Sequence, residues 1–449
     1  MSRIALISEH ASPLAMLGGV DAGGQNIYVG QLARHLADLG HEVDIFTRHD
    51  GARRPRTVPW ADGARIIHVP AGPAAFVPKE ELLPYMGEFT AFVLGHCRRH
   101  GAYDLVHANF FMSALVAADV KRSLGTPFVV TFHALGRVRR LHQGDADAFP
   151  EERLAIEDRI VAEADGLIAE CPQDEADLTG LYRADPARIA TIPCGFDPEE
   201  FWPIPKAQAR AVLGLDPEEA IILQLGRMVP RKGVDNVIRG LARLGRDHGI
   251  AARLLIVGGD SEVPDPKITP EIGRLQTIAA EEGVSDAVTF VGSRGRDVLR
   301  YYYAAADVFV TTPWYEPFGI TPVEAMACGT PVIGAEVGGI KSTVRDGETG
   351  FLVPPRDSDV LADRLARLLR SPALRRDFSR RAVRRANLLY TWRRVAESVA
   401  VFYEEVLQTA QTGRSGLART RRRRSGGAAV PSSHREVVRL HYQEGRNTP

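Results

Sequence analysis

Twice along this 449-residue chain, short apolar runs alternate with amphipathic stretches of helical period, and that double alternation restricts the fold more than any other feature. The first series has apolar runs at 4–7, 43–46, 66–69, 105–107, 128–131, 167–169 and 189–192. The second has them at 221–225, 253–257, 288–291, 308–310, 331–333 and 351–353. Runs of this length without polar alternation predict strands buried on both faces, with the intervening helices as cover. Between the series, Pro193, Gly195, Pro198, Pro203 and Pro205 make 193–205 read as a linker. The expected fold class is therefore α/β, with two doubly wound domains at 1–200 and 206–388. Ligands of such sheets bind outside the carboxyl ends of the strands, so two facing sheets would form a cleft. A helix over 389–410 is expected to cross back to the first domain.

Charge adds an asymmetry. Lys+Arg and Asp+Glu both number 56, for a formal net charge of zero. Residues 412–449 hold nine Arg and two Glu, which leaves 47 basic against 54 acidic residues before them. The body is acidic and the tail basic. The tail, 413–449, reads as disordered and solvated; its four-arginine run at 421–424 allows weak membrane contact, and no nucleic-acid partner is expected. Cys97, Cys171, Cys194 and Cys328 form no CxxC pair, which disfavours a zinc site or disulfide framework and fits a cytoplasmic location. No apolar stretch reaches the length of a membrane span.

Three motifs could carry chemistry. The Gly-rich stretch 18–26 lies between the first strand and first helix, where glycines admit a close ligand and a helix start favours phosphate. It lacks the spacing of a P-loop or dinucleotide fingerprint. In the second, 225–233, Arg227 and Lys232 stand five residues apart beside a glycine turn, a cation pair suited to a diphosphate. The third, 315–332, places Glu316 and Glu324 around a Phe318-Gly319 turn and a Pro322 helix start. Carboxylates at such a turn can accept sugar hydroxyls in pairs. His133 closes a strand of the first series, and Asp145-Ala146-Asp147 in a polar loop is a weak candidate for a metal.

Together these motifs resemble a retaining glycosyltransferase of family 4, with the GT-B fold of two Rossmann-like domains facing across a cleft; the resemblance covers residues 1–410. It implies that Arg227 and Lys232 bind the donor diphosphate, with Gly23 and Gly24 closing on it from the first domain. It implies that Glu324 holds the ribose, that Glu316, Phe318 and Gly319 hold the donor sugar, and that Arg294 lies near the base. His133 and Glu316 would be the catalytic pair, with His133 near the reacting carbon. The co-substrate would be a nucleotide-diphosphate sugar, a UDP-sugar ahead of GDP-mannose, with no cofactor or metal required. A sugar-nucleotide epimerase or hydrolase on the same fold is the alternative.

Within that family the first half is similar to inositol-phosphate N-acetylglucosaminyltransferases of mycothiol synthesis and to sucrose-phosphate synthases. Asn26, Lys79 and Arg153 match acceptor-contacting positions of the former and imply an anionic acceptor. Phe110 stands where those enzymes carry Tyr, and Ala134 where they carry Thr. The partners implied are a small-molecule donor and a small polar sugar or cyclitol, with or without a phosphate.

Overall fold

The computed structural model describes residues 1–15, 23–51 and 53–423, with side chains as far as 412. The first sheet is built from β1 (Arg3–Ile7), β2 (Glu42–Arg48), β3 (Thr57–Ala61), β4 (Ala64–Val69), β5 (Leu105–Asn109), β6 (Phe128–Thr131), β7 (Gly166–Ala169) and β8 (Ile189–Thr191). Its order is β3-β4-β2-β1-β5-β6-β7-β8. Every neighbouring pair is parallel except β3 with β4. The extra strand β3 has no apolar run. It carries Pro59 and is only partly buried, as an edge strand can be.

The second sheet contains β9 (Ile221–Leu225), β10 (Arg253–Val257), β11 (Val288–Gly292), β12 (Val308–Thr311), β13 (Val332–Ala335) and β14 (Gly350–Val353), all parallel, in the order β11-β10-β9-β12-β13-β14. Both orders reverse direction beside their first strand, at β1/β5 and at β9/β12. A doubly wound sheet has its ligand crevice at such a reversal. The central strands are fully buried, as their continuous Val, Ile and Leu content requires.

The chain forms two compact units, 1–12 with 29–192 and 396 onward, and 13–28 with 193–395. These differ from a partition at 1–200 and 206–388 in two places. The described residues of 13–28 pack with the second unit, where Tyr28 meets Trp392 edge-on at 5.8 Å. The stretch 193–205 is also no loose linker. Phe196 is fully buried, its N–H donates to the Tyr390 carbonyl (2.8 Å), and Trp392 N–H returns the bond to the Phe196 carbonyl (3.1 Å). The prolines stiffen a strap whose aromatic anchors the composition does not reveal.

Two expectations near the carboxyl end need correction. The helix expected from 389 begins at Trp392, because Pro372–Leu389 is a separate helix that ends against the buried Tyr390. The later helix continues to Arg423, so 413–423 of the expected disordered tail is helical backbone. Arg, Leu and Ala favour helix, which here outweighs Gly413 and Gly416. The remainder, 424–449, lies outside the described residues. Among the described residues no helix is long and apolar enough to cross a membrane.

Candidate active site

In the second unit the reversal point is stitched by two loops. After β9 the chain passes Arg227, makes the single turn Pro230–Lys232 and enters the helix Val234–His248 through Gly233. Gly233 has φ +66°, and a Cβ there would overlap the Thr312 carbonyl, so only glycine lets this loop touch the one after β12. Thr312 Oγ1 donates to the Gly233 carbonyl (2.9 Å) and Trp314 N–H to the Arg231 carbonyl (2.9 Å). This seam brings Lys232 onto Glu316, 84 residues away in sequence.

Lys232 Nζ and Glu316 Oε2 form a hydrogen-bonded ion pair with side chains only 19% and 14% exposed. Burial is the largest influence on Lys232 and pushes its ammonium down to about 8. Glu316 opposes that shift, and Arg231 and Arg227 add to it. Burial alone would raise the Glu316 carboxyl, but Lys232, then Arg231 and Arg227, hold it below the usual carboxylate range. Glu316 is therefore an anion set among three cations. The Arg231 guanidinium lies over the Tyr315 ring (5.2 Å), and its Nη1 is buried without a hydrogen-bond partner.

The other residues expected on this side are dispersed around that core. Gly319 (φ +89°) starts the helix Ile320–Ala327, and Phe318 is buried against Tyr390. Glu324 sits inside that helix, 2% exposed, accepting from Arg296 Nη1 (3.0 Å) and the Tyr303 hydroxyl (2.9 Å). Arg296 also grips Glu200 (2.6 and 2.8 Å). Arg294 follows β11 and is aimed by the carbonyls of Glu262 and Ser293, both 2.8 Å from Nη1. Gly23 lies beside Arg227, where a Cβ would stand 3.7 Å from Nε, and Gly24 faces Ile320. Gly23 N–H donates to Asn26 Oδ1 (2.9 Å), so the Asn26 amide, 3% exposed, helps shape the helix start at Gly24–Asp38.

The first unit carries two polar clusters beyond its strand ends. His133 has φ +56°, a strained setting for a residue other than glycine. Its ring lies between Glu170 Oε1 (2.8 Å from Nδ1) and Asn109 Oδ1 (3.0 Å from Nε2). The second cluster surrounds Arg153, which is 1% exposed. Its Nε donates to Glu157 (2.7 Å), its Nη2 donates to the Ala134 carbonyl, and its guanidinium lies within 4.5–4.9 Å of the Phe149, Phe111 and Phe110 ring centroids. Arg153, Phe110 and Ala134, far apart in sequence, thus meet in space. Lys79 belongs to another element, the turn Lys79–Glu81, and pairs with Glu80 at 3.2 Å.

The description "Glycosyltransferase Family 4" matches residues 22–200, and "Glycosyl transferases group 1" matches 205–385. The chain is 40% identical over 410 residues to a D-inositol 3-phosphate glycosyltransferase of Actinosynnema mirum, covering 90% of this chain and 97% of that one. The chain belongs to the family 4 glycosyltransferases. The sucrose-phosphate synthase of Thermosynechococcus elongatus superposes on this glycosyltransferase with a TM-score of 0.83 at 35% identity, over 91% of this chain and 100% of that one. The Anabaena protein HepE, crystallised with UDP, has a TM-score of 0.69 at 20% identity over 90% and 100%, a likeness of fold. The GT-B fold and glycosyltransferase activity follow from these likenesses together with the two predominantly parallel sheets.

Sequence reasoning about the glycosyltransferase missed Arg231, Arg296, Tyr303, Asn109 and Glu170. Arg231 was visible, next to Lys232 in a basic turn. The others become partners only through tertiary contact and left no local signal. In the weak metal candidate 145–147, Asp147 accepts from Arg139 (2.8 Å), and among the described residues no three His, Cys, Asp or Glu side chains group as metal ligands.

Proposed function

We propose that this glycosyltransferase moves a hexosyl group from a nucleotide-diphosphate sugar, a UDP-sugar ahead of GDP-mannose, to a small polar sugar or cyclitol, with retention at the anomeric carbon. The observation that carries the reading is the cluster of Arg227, Arg231 and Lys232 around Glu316 at the β9/β12 reversal. Such cations stabilise charge that develops on a departing diphosphate, and Glu316 accepts hydroxyls of the donor sugar. Arg294 would lie by the base, Glu324 by the ribose, and Phe318 and Gly319 would offer backbone to the sugar. The acceptor oxygen would attack from the face the diphosphate leaves, and the departing phosphate oxygen would take its proton. Positioning and charge would do most of the work, with no metal required.

For the acceptor, the relative's name points to an inositol phosphate and the structural neighbour's to a sugar phosphate. Phe110 and Ala134 offer no side-chain hydroxyl to a phosphate, and Arg153 is already neutralised by Glu157. This supports an acceptor whose recognition does not rest on Arg153. We place the activity in the cytoplasm. Incubating the full chain with UDP-glucose, UDP-N-acetylglucosamine or GDP-mannose and a panel of inositol, inositol phosphate and fructose 6-phosphate, read by mass spectrometry and anomeric NMR, tests the reading. An axial product from an axial donor supports retention. An inverted product, or donor breakdown with every acceptor ignored, would overturn it.

A further inference from the structure

We propose that Glu170 is a positioning residue that keeps both ring nitrogens of His133 protonated, so that His133 serves the transfer as a fixed hydrogen-bond donor and not as a base. The catalytic half rests on the proposed function; the proton count does not.

Three neighbouring strands deliver the group. Asn109 ends β5, His133 follows β6 and Glu170 follows β7. The His133 and Glu170 side chains are 9% and 4% exposed, so little water competes for their bond. A neutral imidazole has one N–H and one acceptor nitrogen, whereas here each nitrogen faces an oxygen. Glu170 Oε1 can only accept while ionised. The Asn109 amide is oriented by its other end, because Nδ2 lies 3.3 Å from the Ile7 carbonyl and 3.5 Å from the His107 carbonyl. Turning the amide over would point its oxygen at two carbonyl oxygens. Oδ1 therefore faces the ring, and Nε2 must donate to it, as Nδ1 donates to Glu170.

The surroundings agree. Glu170 N–H donates to Asp174 Oδ2 (3.0 Å), and burial followed by the Glu170 charge pushes the Asp174 carboxyl up to about 8. Asp174 is thus mostly neutral near pH 7. On the other side, burial above all pushes His107 down to about 3, so its ring is neutral. Its nitrogens meet Thr131 Oγ1 (2.9 Å) and the Tyr403 hydroxyl (2.7 Å). The left-handed backbone at His133 turns the ring into this bracket.

Asn109 Oδ1 then marks a seat that a hydroxyl or phosphate oxygen of the substrate can take without any change in the ring's protons. As the new glycosidic bond forms and the carbon–phosphate-oxygen bond breaks, the acceptor's proton passes to the leaving phosphate, and His133 retains both of its own.

The test is nitrogen NMR on the full chain labelled with 15N-histidine, with His133 assigned through His133→Gln, alongside steady-state kinetics. In the wild type both His133 nitrogens should carry the signature of N–H. Glu170→Gln should convert one to the bare-nitrogen signature and lower kcat by at least about tenfold, with the donor KM little changed. Glu170→Asp, which keeps the charge, should retain both protons and rescue part of kcat. A bare nitrogen in the wild type, or unchanged kcat in Glu170→Gln, overturns the proposal. Two protonated nitrogens in a chain that transfers no sugar would support the dyad and sink the proposed function instead.

Discussion

The two units handle charge in opposite ways. In the second, Lys232, Arg231 and Arg227 all act on the one buried carboxylate, Glu316, and hold it ionised. In the first, Arg153 is matched by Glu157, and the His133 ring is hydrogen-bonded to Glu170, each pair buried. One arrangement gathers several cations about one carboxylate, as the proposed diphosphate site requires; the other sets one base against one acid. Net charge is zero for the chain and describes neither arrangement.

Substitutions can break that contrast. The largest effect on turnover is expected for Glu316→Ala, which should lower kcat by roughly 100-fold or more while circular dichroism remains close to wild type. Near-normal turnover would refute its role. Arg153→Met should act on stability instead. Leaving the Glu157 charge buried without its partner should cost about 3 kcal/mol in urea unfolding, and Arg153→Met with Glu157→Gln should recover part of it. If Arg153→Met were stable but lost acceptor binding, Arg153 would be a ligand-facing cation after all.

Arg231→Ala should raise the donor KM about tenfold, the worth of one charge-assisted hydrogen bond, with acceptor KM unchanged. The pH dependence sharpens the same point. Lys232 is pushed down to about 8, so its proton and charge are present below that value and lost as pH rises through it. Donor KM should therefore climb between pH 7 and 9, and a flat profile would mean that Lys232 does not meet the diphosphate as a cation. The smallest effect is expected from deleting 424–449, which should leave turnover unchanged by mass-spectrometric assay.

The same contrast explains what could be read in advance. Thirteen of the fourteen strands showed as apolar runs because parallel strands are covered on both faces. The missing one, β3, is a half-exposed edge with a proline. In the second unit, Arg227, Lys232, Glu316 and Glu324 could be proposed from the sequence because each loop or helix start carries its candidates in one short motif. In the first unit the chemistry is assembled across strands: 37 residues separate His133 from Glu170 and 24 separate it from Asn109. No periodicity or spacing rule connects them. Arg153 was legible as a cation but not as a caged one, since Phe110, Phe111, Phe149 and Glu157 surround it only after folding.

The contact between Lys232 and Glu316 has a consequence for the order of events in turnover. Each is the other's partner in this structure. A molecule that offers only phosphates would gain Lys232 and strand Glu316 in a buried setting. A complete donor, offering phosphates and sugar hydroxyls together, would satisfy both at once. If Lys232 meets the diphosphate and Glu316 the sugar, as proposed, the pair would act as an exchange gate that favours substrate over the spent nucleotide, and its re-formation after transfer would help to expel the product.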